Sequence, residues 1–393
     1  MCIRDRYRQW AANAVLRPAR RRLDGMFYCR RDYPLGGTGL LWDPSAKTYS
    51  VERLLAESRE AFGGADMIDI SGWAYNETTG RVGNYLTNDL GGLSVLRAAV
   101  EAAHTRGVKM GLYFEGYLLD RRSRLGKLAA DRWQLIKKDG KAKWWTGEME
   151  FYACPGVAEW RRTFVGEMLT VARETGADML YVDQYGISGA NKRCYSPDHG
   201  HPVPSVPILE ESRLLHELRA GLDEVSPHTG IYIEFTPCDA LMGHIDAAFD
   251  YGMTIHNLRL HPTRLPLHRY AFPQVRFVEM VGFGIRPTPV LADDLHRSFF
   301  HGMSIWLKGR AQAWFSTGFR EAARQMHTVL TRHADTFHAD RCEPLIPTLV
   351  PGLYANRFEG PVEQVITVYN ATPSTVRGDL LSVPGVAGAT VYD

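Results

Sequence analysis

The sequence predicts an α/β chain, a (β/α)8 TIM barrel followed by the start of an all-β domain, and three observations carry that prediction. From about residue 26, short β-branched or aromatic runs alternate with longer helical patterns, the mark of a parallel sheet. Eight such strand–helix pairs fill roughly 290 residues, the size of a barrel with insertions. The connections are also asymmetric, short from helix to strand and long from strand to helix.

The predicted strands are Met26–Arg31, Asp66–Ile70, Lys109–Phe114, Asp178–Asp183, Gly230–Phe235, Ala247–Tyr251, Val275–Met280 and Ser304–Lys308. Between them, Val51–Phe62 places Leu54, Leu55 and Phe62 on one helical face. Leu93–Arg106 repeats Leu93, Leu96, Val100 and Ala103 at spacings of three and four. Trp160–Thr175 and Leu209–Val225 follow the same pattern, whereas the stretches after the fifth and sixth strands carry little helical periodicity. The returns Gly63-Gly64-Ala65, Gly107-Val108 and Gly176-Ala177 each offer a glycine where a helix C-terminus needs a left-handed residue. The outgoing connections Ser71–Gly92, Glu115–Val157 and Gln184–Ile208 are long, and in such a barrel they build the active-site rim. A doubly wound open sheet is the competing fold, but no GxGxxG follows a strand to mark its dinucleotide site.

Beyond the eighth strand come a helical stretch Arg320–His338, a segment punctuated by Pro344, Pro347 and Pro351, and alternating runs at Val365–Tyr369 and Thr375–Leu380. The expected division is a linker over 1–25, a catalytic barrel over 26–340 and a truncated β domain over 341–393. Met1–Arg6 resembles a translated sequencing adapter, and the chain stops inside a run that reads as a strand. The expectation is therefore a bacterial, metagenomic gene fragment, with localisation left open.

Charge is nearly balanced, 46 Lys+Arg against 44 Asp+Glu, which argues against a nucleic-acid partner. Residues 1–31 are an exception, with nine Arg and two acids. Arg20-Arg21-Arg22 reads best as a solvated helix end. No stretch approaches about 18 uninterrupted apolar residues, so no membrane-spanning helix is expected. The cysteines (Cys2, Cys29, Cys154, Cys194, Cys238 and Cys342) are widely spaced with no CxxC, unlike a disulfide scaffold or a zinc ribbon.

The chemistry is read from carboxylates at strand ends. Met179-Leu180-Tyr181-Val182 is an apolar strand that terminates in Asp183, and Gly230-Ile231-Tyr232-Ile233 leads into Glu234. Neighbouring parallel strands lie about 4.8 Å apart, so both groups can converge on one bound molecule. Two carboxylates flanking a bond are what glycoside hydrolysis requires. The alternative for either residue is a salt bridge inside the barrel or a loop cap. Asp69, Glu115, Asp250 and Glu279 also stand at or near strand ends. Asp69 and Asp250 suit hydrogen bonding to sugar hydroxyls, and Glu279 is the strongest rival acid. Gln184 and Glu115 join the expected substrate-binding set, as do Trp73, Tyr113 and Trp306, whose planes can stack on sugar rings. Trp144 and Trp145 extend that aromatic supply into the third connection.

An Asp ending strand four and a Glu ending strand five resembles the arrangement of retaining α-glycosidases, the α-amylase-like enzymes and endo-α-N-acetylgalactosaminidases among them. The motif order also resembles a bacterial family of glycosidase-like barrels catalogued as a domain of unknown function. That resemblance rests on Tyr181-Val182-Asp183-Gln184-Tyr185-Gly186, on Cys194 through His199-Gly200-His201-Pro202, and on Ile233-Glu234. It extends over roughly residues 26–315 and into the trailing β segment. It implies Asp183 as nucleophile and Glu234 as acid/base, acting on an α-linked glycoside. Tyr181 stands where the α-amylase signature has Arg, so starch is not the expected substrate.

Cys194, His199 and His201 supply three donors of the kind zinc prefers, but no fourth is apparent nearby. The preferred reading is a loop over the sugar in which His199 or His201 contacts hydroxyls, with neither metal nor cofactor. Other chemistries fit poorly. Gly186–Ala190 lacks the last glycine of a GxSxG elbow, Gly282-Phe283-Gly284 is a weak phosphate cradle, and Lys308 is the one candidate Schiff-base lysine. Two other functions compete with the retaining glycosidase. One is a non-catalytic carbohydrate-binding barrel; the other is a metal-dependent hydrolase using Cys194, His199 and His201.

Overall fold

The structure, a computed structural model, describes residues 3–14, 22–34, 39–76, 82–186, 192–250, 265–281, 289–383 and 390–391. Its centre is a closed barrel of parallel strands: β1 (Tyr28–Asp32), β2 (Met67–Ile70), β3 (Lys109–Glu115), β4 (Met179–Asp183), β5 (Gly230–Ile233), β6 (Ala247–Phe249), β7 (Arg276–Val281) and β8 (Ser304–Lys308). Each strand pairs with its sequence neighbours, and β8 closes onto β1 through Tyr28↔Ile305 and Arg31↔Lys308. All eight predicted strands are present, with ends displaced by up to two residues. One such displacement is at β5, which leaves the ladder at Ile233, so Glu234 stands just past its last rung. The end predicted at Tyr251 lies outside the described residues.

Helices Val51–Phe62, Gly92–His104, Ala158–Thr175 and Pro207–Val225 lie where the periodicity places them. The two weakly periodic stretches hold only the short helices Asp239–Met242 and Leu267–Ala271. Gly63, Gly107 and Gly176 have φ of 83°, 70° and 72°, the left-handed conformation their positions after helices required.

Alternation along each strand sorts side chains between two cores. Ile68, Ile70, Leu112, Phe114, Leu180, Val182, Ile231 and Ile233 face outward into the helix-covered core. Cys29, Met67, Met179, Tyr181, Tyr232, Phe249, Val278, Met280 and Trp306 face inward and fill the barrel. Tyr181, Tyr232, Phe249 and Trp306 are in ring contact, with centroids 4.3–5.7 Å apart, and plug the lumen beneath its mouth.

After β8, helices Thr317–Arg332 and Ala334–Phe337 lead into an antiparallel meander of β9 (Arg341–Ile346), β10 (Leu353–Glu359) and β11 (Gln364–Asn370). The sheet was expected at Val365–Tyr369 and Thr375–Leu380. The second of these runs is irregular, and the other two strands instead begin in the proline-punctuated segment (β9) and just past it (β10). Pro344 is accommodated because β9 is an edge strand with a register shift between Glu343 and Ile346. Phe337, Cys342 and Phe358 share a core with Leu330 and Phe319, joining the sheet to the helices around β8. At the other end, helix Ile3–Ala14 buries Ala11 and sets the Tyr7 ring edge-on to Phe272. Among the described residues, no helix is long and apolar enough to cross a membrane.

Candidate active site

The long connections do gather at the C-terminal ends of the strands. The third carries a three-stranded sheet (Leu118–Asp120, Trp144–Thr146 and Glu150–Tyr152) and helix Arg124–Trp133. A cavity of about 580 Å³ opens above the aromatic plug. Its lining from the barrel strands and the residues just past them includes Arg31, Tyr33, Tyr113, Tyr181, Asp183, Glu234, Met280, Trp306 and Lys308. Asp120, Arg122, Met149 and Glu150 of the third connection form one wall. Asp120 grips Arg122 with both oxygens, at 2.8 and 3.1 Å, and stiffens that wall.

Asp183 and Glu234 line this one cavity from adjacent strands. Both oxygens of Asp183 are held by phenols, Oδ1 accepting from Tyr181 at 2.6 Å and Oδ2 from Tyr113 at 2.6 Å. Tyr181 and Tyr113 reach it because residues two apart on a strand, and across the β3–β4 rung, share a face. Glu234 Oε2 accepts the backbone N–H of Gln184 at 2.9 Å, which ties the acid after β5 to the residue following Asp183. Gln184 makes that N–H available by adopting φ of 62°. Its backbone oxygen accepts from buried Lys192. Gly116 fits the same corner because a Cβ there would stand 2.5 Å from the Asp183 carbonyl oxygen.

Glu115 stands beside Asp183 on the neighbouring strand, its Oε2 2.7 Å from the Tyr113 hydroxyl. Burial, reinforced by the Asp183 charge, drives its carboxyl well above the usual range. One phenol proton cannot serve two carboxylates. A protonated Glu115 resolves this by donating to the Tyr113 oxygen while Tyr113 donates to Asp183. Asp69 is fully buried on the same inward face, 3.6 Å from Arg31 Nε; burial outweighs that cation and lifts its pKa to about 6. Arg31 is layered 3.9 Å from the Trp306 centroid, with Tyr33, Tyr113 and Tyr181 at 4.9–5.2 Å. Lys308 lies 4.8 Å from the Tyr33 ring, and burial together with Arg31 lowers its pKa.

Of the predicted substrate-binding residues, Tyr113 and Trp306 line the cavity, and Asp69 and Glu115 lie in the inward-facing network that supports it. Gln184 contributes its backbone. Five others are placed elsewhere. Trp73 is wholly buried between Tyr85 and Phe114, its indole donating to the Tyr113 carbonyl at 2.8 Å, so it packs the barrel wall. Glu279 alternates with inward-facing Val278 and Met280 and is therefore buried on the outward face, remote from the mouth. Asp250 follows inward-facing Phe249, so it too turns outward, where it accepts from His268 at 3.0 Å. His199 and His201 are buried outside the cavity lining, each beside a cysteine: Cys194 Sγ is 3.3 Å from His199 Nδ1, and Cys154 Sγ is 3.4 Å from His201 Nε2. Of the paired tryptophans, Trp145 is exposed and Trp144 packs edge-on to Phe151. Ser188 and Gly282–Gly284 lie outside the described residues.

Sequence reasoning missed Arg31, Tyr33 and Tyr181. The signal for two of them was present. Tyr181 precedes Asp183 by two residues on one strand. An Arg30-Arg31 pair in a barrel strand must send one guanidinium inward while the other, Arg30, pairs with Glu57 at 2.9 Å outside.

A closed parallel barrel with a carboxylate-lined mouth and an antiparallel sheet after it defines the class of (β/α)8 barrels with an appended β sheet. Residues 3–206 match the model of a family described as a domain of unknown function, DUF6259, and the chain belongs to that family. No curated protein matches it. Among solved structures it is similar to the GH36 α-galactosidase AgaA of Geobacillus stearothermophilus (11% identity, TM-score 0.65, 98% of this chain and 53% of that one). It is similar also to the α-N-acetylgalactosaminidase NagBb of Bifidobacterium bifidum (17% identity, TM-score 0.63, 94% and 63%) and to a cyclomaltodextrinase (13% identity, TM-score 0.63, 91% and 71%). The chain thus spans about half the length of the first and under two thirds of the second, and what it shares with all three is the fold.

Proposed function

We propose that this chain is a retaining glycoside hydrolase that cleaves an α-linked glycoside, with Asp183 as nucleophile and Glu234 as acid/base. The observation that carries the reading is the placement of these two carboxylates in one cavity, on adjacent strands, each with its own hydrogen-bond anchor. In the first step an Asp183 oxygen attacks the anomeric carbon while Glu234 gives its proton to the departing oxygen. The products are a glycosyl ester on Asp183 and the free aglycone alcohol. In the second step Glu234 takes a proton from water, whose oxygen attacks the anomeric carbon and releases Asp183. Tyr113 and Tyr181 fix the rotamer from which Asp183 attacks, so little reorganisation accompanies ester formation. Tyr33 offers aromatic surface to the sugar, and Arg31 and Lys308 beside it supply donors at the side of the mouth facing the two carboxylates.

The test is a panel of aryl α- and β-glycosides, with the anomer released first from an accepted substrate followed by NMR. Turnover of an α-glycoside with retained configuration, lost in Asp183→Asn, is expected. Inversion, or a substrate still cleaved by Asp183→Asn, would overturn the assignment.

A further inference from the structure

Away from the cavity, the structure completes a donor set that spacing along the chain leaves one short. Cys194, His199 and His201 lie together in the fourth outgoing connection, and Cys154 arrives from the third, just beyond strand Glu150–Tyr152. One ligating atom from each residue comes together, all within 4.8 Å of one another. We propose that these four residues bind one zinc ion in a closed Cys2His2 site that staples the third and fourth connections together.

Two of the donor separations match those of a tetrahedral centre. With Zn–S near ~2.3 Å and Zn–N near ~2.0–2.1 Å, neighbouring donors should lie about 3.5 Å apart. The two sulfur–nitrogen contacts are 3.3 and 3.4 Å. Thiolate and imidazole are the donors that favour zinc over calcium or magnesium. The surroundings prepare these donors. His201 Nδ1 lies 2.8 Å from the Pro202 carbonyl and donates to it, which leaves the Nε2 lone pair facing the sulfurs. Cys194 Sγ accepts the backbone N–H of Ile136 at 3.4 Å, a third-connection contact to a fourth-connection sulfur. Gly156 clears the approach of His201, since a Cβ there would fall 2.2 Å from His201 Cδ2. The short 3-10 turn Pro197–His199, capped by Ser196, swings His199 back toward Cys194.

All four positions are filled by protein, so no place is left for a substrate or an activated water, and the ion is structural. This separates the site from a metal-dependent hydrolase built on the same residues. Its consequence lies in what the two connections carry. Cys154 follows the strand whose Glu150 lines the cavity wall. Cys194 lies two residues past Lys192, which donates to the backbone of Gln184 beside Asp183.

The experiment is metal analysis of the full chain purified after growth with added zinc. About one zinc per chain is expected, falling below about one tenth in Cys154→Ser and in Cys194→Ser. Where a variant does not fold, three measurements on the unaltered protein decide. Thiol modification should release zinc in step with the loss of two buried thiols. Cobalt exchanged into the site should show the intense visible bands of a tetrahedral thiolate complex. Chelation should raise hydrogen exchange first at 133–157 and 192–206. A metal-free protein under these conditions, a Cys154–Cys194 disulfide found by peptide mapping, or zinc retained by Cys154→Ser would each overturn the proposal.

Discussion

The carboxylates at the ends of the barrel strands fall into two groups that sequence position alone does not separate. Asp69, Glu115, Asp183 and Glu234 sit on the inward parity of β2 to β5, within reach of Arg31, Tyr113 and Tyr181. Asp250 and Glu279, after β6 and in β7, sit on the outward parity, the first held by His268 and the second buried under the helices. The inward group shares one crowded, buried pocket, and burial first, with the Asp183 charge adding to it, is why Glu115 and Asp69 titrate upward. The difference is one residue of register. An acid on the inward parity joins the network at the cavity; one residue further along, it becomes part of the packing.

Exchanging acids for amides across the two groups puts this division to its hardest test. Asp183→Asn should lower turnover of any accepted glycoside by roughly 10³-fold or more, because the attacking group itself is lost. Glu279→Gln should leave kcat within a few-fold and act on thermal stability instead. Equal losses of kcat in both variants would erase the distinction. Glu234→Gln should cost about 10²–10⁴-fold with a poor leaving group and much less with a dinitrophenyl aglycone, which departs without protonation. A loss independent of leaving group would move the acid elsewhere. Tyr113→Phe removes the phenol between Glu115 and Asp183; a hydrogen bond to a charged group is worth about 1.5–3 kcal/mol, so roughly a 10- to 100-fold drop in kcat/KM is expected. An unchanged pH profile and rate would show the bridge to be idle.

Much of this was legible before any coordinates. The barrel follows from hydrophobic runs and glycine returns, which are local signals, and its strands appear where they were read. Asp183 and Glu234 follow because each directly ends an apolar run. Other features required information that a window along the chain does not hold. Asp250 and Glu279 lie beside apolar runs too, and only counting parity from Phe249 and Met280 turns them outward. Cys154 is far from Cys194 in sequence, so no spacing motif joins them, although the barrel brings their two connections side by side. The strand β9 was hidden by Pro344, which an edge position and a register shift tolerate. Trp73 reads as a sugar platform by type and place, but its indole N–H finds the Tyr113 carbonyl inside the wall.

The smallest expected effect concerns stability, and it probes the inward group without any substrate. Asp69 has a folded-state pKa of about 6 against a reference of 3.8, because burial disfavours its charge more than Arg31 favours it. The folded protein therefore holds a proton that the unfolded chain has already released. The stability this contributes is complete below the unfolded pKa and is lost as pH rises through about 6. Asp69→Asn stays neutral throughout, so the variant should gain on the parent as pH rises across that window, by up to about 3 kcal/mol, with a flat difference above it. The Arg31 attraction acts only on the ionised carboxylate and is already contained in the folded pKa of about 6, so the slope needs no separate correction for it. Urea unfolding of both proteins at pH 4, 5, 6 and 7.5 reads the slope directly. Parallel curves would mean that Asp69 is ionised in the folded barrel and paired with Arg31 as an ordinary salt bridge. The charge crowding that sets the inward group apart would then end at Glu115.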